Sequence, residues 1–163
     1  MPTAYLLIGG NMGNRLAYLQ QAQQLISLQC GTVIKESSTY KTAAWGYTEQ
    51  PDFYNKVLVL QTLLQPAVLM QNLLLIEEKM GRKREIKMGP RIIDLDILLM
   101  DDIILNTGLL TLPHPALTQR RFALLPLAEV APQLQHSVEK QSISTLLQLC
   151  TDTLDVQKII ATT

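Results

Sequence analysis

The chain has 163 residues, 14 Lys+Arg against 14 Asp+Glu, and a formal net charge of zero. That length suits one domain, and at this size folding removes roughly 70% of the unfolded surface from water, enough to build a core. Charge balance argues against an electrostatic nucleic-acid binder, and a hydrophobic fraction of 47% argues against charge-driven disorder.

Two cysteines, Cys30 and Cys150, make neither a disulfide framework nor a zinc-ligand spacing, which fits a reduced, cytoplasmic setting. The start, Met1-Pro2-Thr3-Ala4-Tyr5, lacks the basic flank of a signal peptide. No apolar run approaches the ~18 residues of a membrane span, so no membrane partner is expected. No repeat, linker or composition break interrupts residues 1–163, which predicts one domain. The absence of a hydrophobic coiled-coil stripe points to a monomer.

Ala4 to Ile8 reads as a buried strand running into the loop Gly9-Gly10-Asn11-Met12-Gly13-Asn14. That glycine loop is not a dinucleotide fingerprint and by itself signals little. Asn14 suits an N-cap, and Leu16, Leu19, Ala22 and Ile26 recur at helical spacing before Gly31. Thr32 to Thr42, rich in β-branched residues, Ser and Tyr, predicts a strand. A loop follows through Gly46 and Pro51, then a central strand over Phe53–Leu63. Pro66 opens a helix whose face is Leu69, Leu73, Ile76 and Met80, and Gly81 ends it. After the basic loop 82–90, Ile92–Met100 predicts a strand, and Asp101-Asp102 a turn into Ile103-Ile104-Leu105. Short helices punctuated by Pro126 and Pro132 follow Pro113-His114-Pro115, and Ile143–Cys150 reads as a last helix. The segment from His136 to Thr163 carries no functional reading beyond packing.

The order β–α–β–β–α–β is the split βαβ, or ferredoxin-like, pattern. It predicts an α+β fold: a mainly antiparallel sheet with two long helices on one face and extra C-terminal helices.

Asp94-Leu95-Asp96 is the strongest chemical signal, because aspartate is disfavoured in strands and a lone buried carboxylate is costly. Residues i and i+2 share a strand face, roughly 6–7 Å apart. Two hard oxygen ligands there suit Mg²⁺ shared with phosphate oxygens, and a solvated strand face with salt bridges is the competing reading. Lys79, Arg82, Lys83, Arg84, Lys87 and Arg91 crowd one window bracketed by glycines, so the loop could close as a lid. The lysines read as solvated charges, while Arg82, Arg84 and Arg91 suit phosphate oxygens. Beside paired carboxylates, this is what phosphoryl transfer needs.

Pro113-His114-Pro115 fixes a histidine that is either structural or a hydrogen-bond donor to phosphate. Of Arg120 and Arg121, one would reach the phosphates and the other would be a surface charge. The two phenylalanines, Phe53 and Phe122, are core residues by default. Phe53 shares a face with Asn55, and an aromatic plus an amide can also bind a flat heterocycle by stacking and edge reading. A generic Mg²⁺-dependent phosphotransferase and a non-catalytic ligand-sensing module are the alternatives these residues leave.

Further motifs run through the chain: Gly9-Gly10-Asn11 after the first strand, Ser38-x-Tyr40-x-Thr42, Gln50-Pro51-x-Phe53-x-Asn55, Glu77, Gly81-Arg82-x-Arg84, Gly89-Pro90-Arg91-x-x-Asp94-x-Asp96-Ile97, Leu112-Pro113-His114-Pro115, Arg120-x-Phe122 and Pro126-Leu127. In combination, from Ala4 to about Pro132, the chain resembles the 6-hydroxymethyl-7,8-dihydropterin pyrophosphokinases of folate biosynthesis. It departs from their pattern at Ala43-Ala44, Trp45 and Met88. The resemblance implies that the β,γ-diphosphate of ATP moves to the hydroxymethyl oxygen of the pterin, releasing AMP. It implies that Asp94 and Asp96 hold two Mg²⁺ ions, and that Arg82 and Arg91 stabilise the transferring group. Glu77, Arg84, Ile97, Thr111, His114 and Arg120 would line the ATP site. Phe53 and Phe122 would sandwich the pterin, with Asn55 and the backbone of Thr42, Ala43 and Trp45 reading its edge.

Overall fold

The apolar run Ala4–Ile8 becomes the inner strand of an antiparallel sheet. In the computed structural model, which describes residues 2–43, 50–82 and 90–159, the elements follow in this order: β1 (Thr3–Gly10), α1 (Arg15–Gln29), β2 (Thr32–Glu36), β3 (Tyr40–Thr42), β4 (Phe53–Gln61), α2 (Pro66–Lys79), β5 (Asp94–Met100), β6 (Leu105–Asn106), β7 (Thr111–Leu112), α3 (Arg121–Val130), α4 (Ile143–Leu149) and β8 (Val156–Lys158). The sheet runs β5-β1-β4-β3-β8, with β2 also paired to β4, and every pairing is antiparallel. This is the α+β, ferredoxin-like arrangement the sequence predicts.

Period-two alternation sorts the side chains of the sheet onto two faces. Leu6, Ile8, Leu58, Leu60, Leu95 and Ile97 point to one face and pack with Leu19, Ala22 and Ile26 of α1 and Leu69, Leu73 and Ile76 of α2. Leu7, Val57, Val59, Leu98 and Leu99 point to the other and pack with Leu124 and Leu127 of α3 and Ile143 and Leu146 of α4. Consecutive Leu98 and Leu99 reach the same face because the β1–β5 register shifts between Tyr5 and Leu6, leaving one extra residue on β5.

The helix signals act as their chemistry suggests. Asn14 Oδ1 accepts from Ala17 N at 3.1 Å at the start of α1, a cap worth about 1 kcal/mol. Pro66 occupies the first turn of α2, where its missing N–H costs nothing. Gly81, at φ +92°, ends α2, and Arg82 N then bonds back to Glu77 O at 3.1 Å.

Four local expectations are corrected. Leu16, expected on the inner face of α1, is 52% exposed, because it lies in the first turn, outside the reach of the sheet. The strand expected over Thr32–Thr42 is two strands. Ser37 interrupts it by donating N–H to Val57 O and accepting Val57 N on its Oγ, both at 2.9 Å. Pro126 does not punctuate a helix but lies inside α3, buried against the sheet. Residues 156–158, read as packing alone, add the strand β8 beside β3.

Candidate active site

On the α3 side of the sheet, the helices cover only part of the face. Toward the Gly9 end, the same alternation places Thr42, Phe53, Asn55, Asp94 and Asp96 around a cavity of about 280 Å³. Leu7 forms its base, and Arg82, Arg91, His114, Arg120 and Phe122 complete the wall.

Gly9 lies between the two strands that carry the cavity's amide and its carboxylates. It pairs with Asn55 on β4 and with Asp94 on β5. A Cβ there would stand 1.8 Å from Asn55 Oδ1, so only glycine lets the amide lie across β1. To one side are Phe53, Asn55, Phe122, Thr42 and Ala43, an apolar and amide-bearing half. To the other are Asp94 and Asp96, with Arg82 on Asp94, and Arg91 reaches both sides. Arg91 stacks over Phe53 at 4.7 Å and Arg120 over Phe122 at 5.6 Å, so each ring has a cation against one face.

The charged half is built on Glu77. Its Oε2 accepts the outward N–H of Leu95 at 2.7 Å, satisfying the edge strand β5. Its Oε1 lies 3.0 Å from Arg82, whose same nitrogen reaches Asp94 Oδ1 at 2.8 Å. Arg91 Nε lies 3.3 Å from Asp94 Oδ2. Glu77 itself is 3% exposed and lines neither cavity of the site. It orients Arg82 and β5 from beneath.

Asp96 differs from Asp94. Burial, then the negative charges of Asp94 and Glu77, push its carboxyl up to about 7, against the pull of Arg120 and Arg82. Among the described residues it makes no hydrogen bond or ion pair. A divalent cation beside two such carboxylates relieves both the desolvation and the repulsion, so the donor set fits Mg²⁺. Among the described residues no group of three or more His, Cys, Asp or Glu side chains converges. Among the described residues, the buried Nε atoms of Arg82 and Arg120 have no hydrogen-bond partner, and orphan cationic donors beside a cavity call for an anion.

Across Asp96 and His114 the cavity adjoins a second, of about 240 Å³, lined by Met70, Ile97, Thr111 and the turn Thr107–Leu110. His114 is held by its own N–H to Leu98 O at 2.8 Å, and its Nδ1 accepts Ala116 N at 3.2 Å. That leaves Nε2 as the N–H donor of the neutral ring. Burial and Arg120 push the imidazole below its ordinary value, against Asp94. Arg121 is not a phosphate candidate. It binds Asp152 and the Cys150 carbonyl.

The structure therefore gathers Thr42, Ala43, Phe53, Asn55, Arg82, Arg91, Asp94, Asp96, His114, Arg120 and Phe122 at one cavity and Ile97 and Thr111 at the next. Trp45, Arg84 and the segment 83–89, where the lid was expected, lie outside the described residues. Sequence reasoning noted Asn11 within Gly9-Gly10-Asn11 but gave it no role. Buried, it donates Nδ2 to Gln50 Oε1 at 2.7 Å and to Pro51 O at 3.0 Å. The signal was there, an amide directly after a buried strand and two glycines, but its partners are 39 and 80 residues away.

The family model described as 7,8-dihydro-6-hydroxymethylpterin-pyrophosphokinase matches residues 5–132. A 2-amino-4-hydroxy-6-hydroxymethyldihydropteridine pyrophosphokinase of Bacillus subtilis is 42% identical over 142 residues, covering 86% of this chain and 83% of that one. One of Aquifex aeolicus is 38% identical over 143 residues, covering 88% and 89%. Among solved structures, the HPPK-DHPS protein of Plasmodium falciparum superposes with a TM-score of 0.71 at 19% identity. The match takes in 91% of this chain and spans 43% of that longer one.

Proposed function

The chain belongs to the 7,8-dihydro-6-hydroxymethylpterin-pyrophosphokinase family, and on that premise we propose that the divided cavity is where its two substrates meet. The reaction transfers the diphosphate of ATP to 6-hydroxymethyl-7,8-dihydropterin. The hydroxymethyl oxygen forms a bond to the β-phosphorus, the bond from that phosphorus to the α,β-bridging oxygen breaks, and AMP leaves with the electron pair.

The observation that carries the assignment is the position of Gly9 between Asn55 and Asp94. A pterin stacked between Phe53 and Phe122, with Asn55 and the Thr42–Ala43 backbone on its edge, directs its substituent over Gly9 toward the carboxylates. Arg82 and Arg91 then exchange Asp94 for the transferring phosphoryl oxygens, and Arg120 and the Nε2–H of His114 hold the remaining phosphates. The nucleoside lies along Ile97 and Thr111. Asp94 and Asp96 would hold Mg²⁺, two ions on this reading, supplying charge neutralisation on the phosphates and orientation of the attacking oxygen. Trp45 and Arg84 are proposed, from the family pattern alone, for the pterin edge and the ATP site. We further propose that residues 1–163 act as one unit, as a cytoplasmic monomer. The free thiols of buried Cys30 and Cys150 suit a reducing compartment.

The test is AMP release from ATP and Mg²⁺ with and without the pterin. AMP formed in step with pterin diphosphate, and stopped by chelation, is the expected result. Pterin-independent AMP release, or turnover that survives chelation, would overturn the substrate or the metal respectively.

A further inference from the structure

The family match ends at residue 132, yet the chain beyond it returns to β3, the strand whose Thr42 walls the cavity. β8 lies against β3 with Val156 opposite Thr42 and Lys158 opposite Tyr40. Ile159 N donates to Thr39 O at 2.8 Å. Thr42, 3% exposed and a wall of the cavity, donates its hydroxyl to the carbonyl of Asp155 at 3.0 Å. The Thr42 hydroxyl is thus directed at the tail, and the residue meets the cavity through its backbone and methyl.

The same strand is tied from below. Glu129, on α3, accepts from the Tyr40 hydroxyl and from Ser38 N at 2.9 Å, and Lys158 Nζ lies 4.0 Å from it. β3 is only three residues long and would be a short edge strand without β8. β4 holds its other side, with Tyr40 opposite Asn55 and Thr42 opposite Phe53, so its place relative to Phe122, at the other end of α3, is set by β4 together with these two attachments.

We propose that the tail segment Asp155–Ile159 is a positioning element for pterin recognition: by pairing with β3 and accepting the Thr42 hydroxyl, it sets where the Thr42–Ala43 backbone meets the edge of the heterocycle. This rests on the pterin side of the cavity being as read above. The tail touches neither the carboxylates nor the second cavity, so it acts on the pterin and not on ATP.

Binding of the pterin and of an ATP analogue, together with KM and kcat, would be measured on full-length Thr42→Val, Thr42→Ser, Ile159→Pro and Asn55→Ala proteins. Thr42→Val removes the hydroxyl at constant shape, and Ile159→Pro removes the Thr39 bond near the end of the chain. Both are expected to raise the pterin Kd and KM about tenfold while ATP affinity stays within twofold. Thr42→Ser is expected to restore the parent value, and Thr42→Val combined with Ile159→Pro to weaken binding less than the product of the two. Unchanged pterin binding in both single variants, or an equal loss for pterin and ATP, overturns the proposal. If Asn55→Ala also leaves pterin binding unchanged, the reading of the cavity itself fails. If Asn55→Ala weakens it while the tail variants do not, only the tail proposal falls.

Discussion

Asn11 and Arg91 exchange a reciprocal pair of hydrogen bonds: Asn11 N donates to Arg91 O, and Arg91 N donates to Asn11 Oδ1, both at 2.9 Å. The remaining amide protons of Asn11 go to Gln50 and Pro51. One buried side chain therefore joins the segment leading into β4, which begins with Phe53, to the segment leading into β5, which begins with Asp94. Asn11→Ala leaves the Arg91 N–H and the Pro51 carbonyl without it. We expect a loss of about 2 kcal/mol in urea unfolding and a fall in kcat larger than the change in either KM. A variant that keeps parent turnover at reduced stability would make Asn11 a packing residue only.

Gly9→Ala introduces a Cβ 1.8 Å from Asn55 Oδ1 and 2.9 Å from Tyr54 O. The Asn55 side chain can swing away, but the carbonyl cannot. Pterin affinity is expected to drop at least tenfold, with ATP affinity falling less. Calorimetric titration of both ligands reads this directly, and equal losses would contradict the division of the cavity at Gly9.

Asp96→Asn keeps the shape of the side chain and removes a charge that burial and two neighbouring carboxylates disfavour. In metal-free protein the substitution is expected to raise stability by on the order of 1–3 kcal/mol while turnover is nearly abolished. A thermal shift in chelator checks the first and AMP release the second. A lower Tm would show that Asp96 is compensated in the free protein.

Glu129 gives the acid limb of stability. Burial raises its carboxyl, but hydrogen bonds from Tyr40 and Ser38 and the charge of Lys158 outweigh burial and hold it below its ordinary 4.5. A group depressed in the folded state contributes stability above its unfolded value and loses it as pH falls through the folded one. Urea unfolding between pH 6 and 3 should therefore show a loss below about pH 4.5 that flattens in Glu129→Gln. The difference is expected to be under about 1 kcal/mol, given partial exposure. Parallel curves for the two proteins would remove Glu129 from the acid limb.

Much of this was legible in the sequence because the signals are local. The stripe Leu69, Leu73, Ile76 and Met80 is buried throughout, and the alternation around Asp94 and Asp96 puts both carboxylates on one face and Leu95 and Ile97 in the core. Elements that depend on distant partners were not legible. β8 is three mostly exposed residues whose strand character comes from β3, over a hundred residues earlier in the chain. The break at Ser37 is made by Val57, and Glu77 looks like any buried helix residue until Leu95 arrives above it. Asn11 is the same case. Its value lies in three segments that no window around it contains.

The position of β1 has a consequence during synthesis. Its apolar residues pair on one side with β4, up to Gln61, and on the other with β5, up to Met100. A growing chain therefore carries Ala4–Ile8 as an unmatched strand until residues 53–61 have left the ribosome. One edge stays open until residues 94–100 follow. Over that interval Ala4–Ile8 is an adhesive edge. Chains stalled or cleaved before Met100 are expected to aggregate through the strand that, once flanked, becomes the floor of the active site.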